Sequence, residues 1–134
     1  MWIHSRIKQE EEIATRTENL KRNAPVVYDG LWKKIVEDIA IAKEHPHFRT
    51  MQPGTDGTEY QRIVYMPHSG GERVECRLII SEDNSHIKVT GAVEESFEIG
   101  LRADGTGFLS RNGNTVSYER AAQVILEPLL FHAT

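Results

Sequence analysis

The stretch Arg73-Val74-Glu75-Cys76-Arg77-Leu78-Ile79-Ile80-Ser81 decides the fold. Val74, Cys76, Leu78 and Ile80 alternate with Arg73, Glu75, Arg77 and Ser81, and a period of two places the two sets on opposite faces of a pleated strand. One face is dry and the other wet, as in an antiparallel sheet covered on one side only.

The same alternation extends in both directions. Upstream, Glu59 to Met66 reads as a strand with Ile63 and Tyr65 on one face, and His68-Ser69-Gly70-Gly71 turns the chain. Downstream, Ile87, Val89 and Val93 alternate with His86, Lys88 and Thr90, then Phe97, Ile99 and Leu101 with Ser96, Glu98 and Gly100. The turns Asp104-Gly105-Thr106-Gly107 and Asn112-Gly113 bracket a short Phe108-Leu109 strand, and Thr115 to Val116 is a last one. Asn-Gly favours a type I′ hairpin because both central residues need positive φ. Connections this short join only antiparallel neighbours. The expectation is a meander of five or six strands.

A dry sheet face needs a cover. Leu31, Trp32, Ile35, Val36, Ile39 and Ala40 form a wide apolar helical face. That helix is predicted to start at Asp29 as N-cap, to bury Trp32 as its largest group and to end before His45-Pro46. Ser117 is the expected cap of a C-terminal helix whose Ala121, Ala122, Val124, Ile125, Leu129 and Leu130 face the core, with Pro128 kinking or ending it. An earlier helix, Ser5 to Arg22, is predicted to stop at Ala24-Pro25, since proline lacks a donor and restricts the residue before it. Residues 47–57 read as a loop. The predicted fold is therefore α+β: two N-terminal helices, an antiparallel β-meander of five or six strands, and a C-terminal helix packed on the apolar face of the sheet. Residues 1–24 form a helical arm and residues 25–134 a single domain.

The arm is polar, and its few apolar residues form no continuous stripe. Ile3, Ile7, Ile13 and Leu20 are the candidates for contact with a protein partner or a second copy of the chain.

Composition excludes several classes. The chain has 134 residues, the size of one domain. Its net charge is −4; residues 1–50 carry nine basic and eight acidic residues, and residues 51–134 carry seven and twelve. The acidic second region repels phosphate backbones, and no aromatic platform interleaves with basic residues, so no nucleic acid is expected. A lone cysteine, Cys76, the charged N-terminal stretch and the lack of long apolar runs make a cytoplasmic protein without membrane contact the expectation.

Catalytic motifs are missing. His45-Pro46-His47, His68 and His86 lack the spacing and cysteines of a structural zinc site, so no metal and no cofactor are expected. Cys76 falls on the dry face, where a thiol is inert. No Gly-X-Ser-X-Gly elbow exists, and Ser69 serves a turn. Glu94, Glu95 and Glu98 surround one strand, while Glu75, Arg77, Lys88 and Glu98 suit charge pairing on a wet sheet face. The leading expectation is a non-catalytic interaction domain, able to self-associate. The alternative is a small-ligand domain or modest enzyme with a pocket between sheet and helices, bordered by Tyr65, His68, Arg77 and His86.

Overall fold

Leu20, Ala24, Val27, Tyr28, Leu31, Ile35, Ile39 and Ala42 recur every three or four residues and are all buried. This stripe passes straight across Pro25. In the computed structural model, which describes residues 1–48, 51–67 and 72–131, it belongs to one 43-residue helix, α1 (Trp2–Glu44). At 1.5 Å per residue α1 is about 65 Å long. The predicted break at Ala24-Pro25 does not occur, so there is one N-terminal helix rather than two. Proline in a helix interior costs about 3 kcal/mol through the lost hydrogen bond and the ring clash. Here Pro25 and Lys21, whose carbonyl it leaves without a donor, both face water. Burial of Leu20 and Ala24 on one side and Val27 and Tyr28 on the other offsets the loss, at about 1.5–3 kcal/mol for each large apolar side chain. Asp29, expected to cap a helix, instead lies within α1.

Among the described residues, α1 is followed by a 3₁₀ turn (Pro46–Phe48) and seven strands: β1 (Gly54–Gly57), β2 (Gln61–Pro67), β3 (Arg73–Ile80), β4 (His86–Gly91), β5 (Glu95–Leu101), β6 (Gly107–Arg111) and β7 (Asn114–Val116). They form one antiparallel sheet in sequential order. The predicted meander is right in kind and short in number. The extra strand, β1, has the sequence Gly-Thr-Asp-Gly, with no apolar alternation to reveal it. Its pairing with β2, Gly54 opposite Tyr65 and Gly57 opposite Arg62, gives it away only in three dimensions. A short edge strand carrying glycine and Asp also discourages pairing with other chains. Asn112 and Gly113 take φ of 53° and 82°, as a type I′ turn requires.

Val64, Met66, Cys76, Leu78, Ile87, Val89, Phe97, Ile99 and Leu109 point from the sheet into the core, where α1 and α2 (Tyr118–Leu130) cover them. Ser117 caps α2, its hydroxyl accepting from the Arg120 N–H at 3.0 Å. The helix continues past Pro128 to Leu130. Trp32 is only half-buried, and the largest fully buried side chain is Phe97. Two glycines admit the helices closely. A Cβ on Gly107 would lie 2.6 Å from Cγ2 of Val27, and one on Gly30 would lie 2.7 Å from the Tyr118 ring. The first seats α1 on β6; the second seats the start of α2 on α1.

Candidate functional site

Tyr65, Arg77 and His86, expected at the border of an interior pocket, all occupy the sheet face turned away from the helices. Tyr65 stands opposite Glu75, Arg77 opposite Thr90, and His86 opposite Glu98. His68 lies outside the described residues, as does the turn His68 to Gly71. Two of the three are brought together. The Arg73 guanidinium sits 4.4 Å over the Tyr65 ring and donates to Glu75 at 3.2 Å. Arg77 donates twice to the other oxygen of Glu75, at 2.9 and 3.0 Å. Asp56 completes the chain at 3.4 Å from Arg73. The Gly57 N–H, then Arg73, hold the Asp56 carboxyl below its usual range. Every charge in this network has a partner, so it serves a solvated sheet face, where exposed pairs contribute little. Glu95, one of the clustered carboxylates, is paired with Arg111.

His86 sits apart in a constellation that no spacing rule had suggested. In the β3–β4 turn, Asp83 accepts from the hydroxyls of Ser81 and Ser85 at 2.7 and 2.6 Å, and the Ser85 hydroxyl lies 2.7 Å from Nδ1 of His86. These bonds hold the Asp83 carboxyl down at about 2. Asp, Ser and His in contact resemble a nucleophile and base, but the proton runs the wrong way. Ser85 has one hydroxyl proton and gives it to Asp83, so Nδ1–H of His86 must donate to Ser85. A base that already donates to the hydroxyl cannot deprotonate it. The group closes a turn. Cys76 is fully buried, and burial pushes its thiol pKa up.

Between α1 and β2 lies a clamp. The Arg62 guanidinium is 4.3 Å from the Tyr28 ring and 5.9 Å from that of Trp32, and it donates to Asp29 at 2.6 Å. The Tyr28 hydroxyl donates to the Leu78 carbonyl at 2.7 Å, with Tyr60 O at 3.1 Å. Burial pushes the Tyr28 phenol up to about 12 against the lowering effect of Arg62. These contacts join helix to sheet. Among the described residues no cluster of three or more His, Cys, Asp or Glu is placed to hold a metal, and no buried side-chain polar atom lacks a partner.

What remains is the N-terminal part of α1. Every residue from Met1 to Glu18 is exposed. Of the four residues singled out for interaction, Ile3, Ile7 and Ile13 are 45, 51 and 55% exposed, whereas Leu20 is buried in the core. Trp2, 76% exposed, joins the accessible group. One unbroken helix also reveals a phase relation. At about 100° per residue, Trp2 lies five whole turns before Leu20, Ile13 about 20° from the same line, and Ile3 ten turns before Ile39. Trp2, Ile3 and Ile13 thus continue the face that α1 buries against the domain, while Ile7 lies about 40° beyond its edge at Ile39. Arg6 and Glu10, paired at 2.6 Å, lie in the middle of that face. This continuity is hidden while Pro25 is taken as a break, and counting in steps of eighteen across the proline is the signal that exposes it.

Comparison with known proteins gives no family model, no curated protein and no solved structure that matches the chain. Among the described residues no helix is long and apolar enough to cross a membrane.

Proposed function

We propose that the protein is a non-catalytic interaction domain in which α1 anchors in the core by its C-terminal half and presents its N-terminal half to a protein partner. The observation that carries this reading is the shared face of α1. The line that is buried from Leu20 onward runs on through Ile13 and Trp2 with nothing upon it. Polar residues alone would suffice for a solvated helix, so exposed Trp and Ile in phase with a buried stripe signal a surface used in contact. The charged sheet face and the Asp83-Ser85-His86 turn satisfy themselves internally and give no support to catalysis. On this reading residues 1–24 act as an arm and residues 25–134 as the domain, with Leu20 and Ala24 the overlap that fastens one to the other.

The test is removal of residues 1–18, which spares Leu20. The reading predicts a folded product with nearly unchanged thermal unfolding and a lower mass by light scattering or loss of partner binding. An unchanged mass together with an unchanged set of bound proteins would refute it.

A further inference from the structure

Arg6 and Glu10 sit in the middle of the exposed face, flanked by Trp2 and Ile13 on one side and by Ile3, Ile7 and Ala14 on the other. A face of this composition is complementary to itself, but in one sense only. We infer that its occupant is a second copy of the chain, with the two N-terminal helices packed antiparallel about a two-fold axis at the height of residue 8; this rests on the reading of that helix as the interaction surface.

Two arguments fix the direction. The first is steric. The face continues the line by which α1 covers its own sheet. A parallel partner on that face would have to run its residues 19–44 through the space the sheet fills. An antiparallel partner with its axis at residue 8 ends with its Trp2 opposite Ala14, six residues or about 9 Å short of Leu20.

The second is charge. In parallel pairing Arg6 meets Arg6 and Glu10 meets Glu10 of the second copy, and like charges repel. About an axis at residue 8, Arg6 of each copy faces Glu10 of the other. The same operation sets Ile3 against Ile13 and the large Trp2 against the small Ala14, so apolar layers flank the charged one on both sides. The interface is isologous and closes as a dimer.

The experiment uses the full chain, with Ile3→Cys and Ile13→Cys made singly, mixed, and oxidised; Cys76 is fully buried and stays silent. Antiparallel pairing gives a covalent dimer only from the mixture. Charge reversal gives a second readout by sedimentation. Arg6→Glu or Glu10→Arg alone sets like charges across the axis and weakens the dimer by about tenfold, and the two together restore opposite ones, while the cross-links report the direction of pairing. Cross-links from either single variant alone, or a double reversal as weak as the single ones, overturn the antiparallel dimer while leaving the helix as an interaction surface. A full chain that stays monomeric yet binds a different protein through residues 1–18 does the same. A monomer whose binding is indifferent to residues 1–18 overturns both this inference and the function proposed above.

Discussion

Gly107 offers the sharpest test of how α1 meets the sheet. A Cβ there would stand 2.6 Å from Cγ2 of Val27 and 3.6 Å from Cβ of Asn23, residues that bracket Pro25 one turn apart. Carbon atoms in contact prefer about 3.5–4.0 Å, so Gly107→Ala forces helix and strand apart by roughly 1 Å. Overpacking of this kind costs about 1–3 kcal/mol. Val27→Ala removes two methyl groups from a fully buried site, for about 2 kcal/mol with the cavity included. In the double variant the new methyl enters the space that Cγ2 vacated. Gly107→Ala should then be nearly neutral, since reduced freedom of the unfolded chain favours alanine by about 0.4–1 kcal/mol where the backbone tolerates it. The coupling energy from urea unfolding followed by circular dichroism is expected at about 1–2 kcal/mol. Gly105→Ala is the control: with φ of 88° and nothing within 4 Å, it should destabilise through the backbone alone and not couple to Val27→Ala. Additivity of Gly107→Ala and Val27→Ala within about 0.5 kcal/mol would refute the seating of α1 on β6.

Other outcomes follow from single groups. Tyr28→Phe should cost about 1–2 kcal/mol in urea unfolding, because the Leu78 carbonyl loses the phenol's proton. The raised Tyr28 pKa adds a pH signature. Stability that the neutral phenol supports is present below pH 10 and is lost as pH rises from 10 towards 12, and Tyr28→Phe should flatten that stretch of the alkaline unfolding curve. Ser117→Ala removes the hydroxyl that accepts from the Arg120 N–H and should lower stability by about 1 kcal/mol, with Ser117→Asp restoring it. Cys76 should resist alkylation in the native protein and react only at the rate of unfolding; prompt native labelling would place it outside the core.

The sheet was legible because alternation is a short-range signal: Val74 to Ile80 and Phe97 to Leu101 need no knowledge of their neighbours. So was the Ser117 cap, where one hydroxyl and one N–H suffice. Two features were hidden. β1 has no side-chain pattern, and its existence depends on the edge that β2 offers. Continuity through Pro25 depends on a balance between a local penalty and burial of residues on both sides, and only the buried stripe decides it. The same balance governs the candidate surface: a cut at Pro25 leaves Leu20 with the exposed residues and gives Trp2 no buried line to extend. Alternation puts Arg77 and His86 on the wet face, where the structure has them, but it misleads in β2, where Ile63 and Tyr65 share the wet face and Val64 and Met66 enter the core.

Amide hydrogen exchange of the full chain at low and high protein concentration tests the central claim most directly. Alone, a projecting helix of this length frays and exchanges quickly, while amides held over the core exchange only on deeper opening. The account predicts that protection of residues 3–18 rises with concentration and that of residues 27–42 does not. Fast exchange of residues 3–18 at every concentration, or slow exchange already present in the dilute monomer, would contradict it.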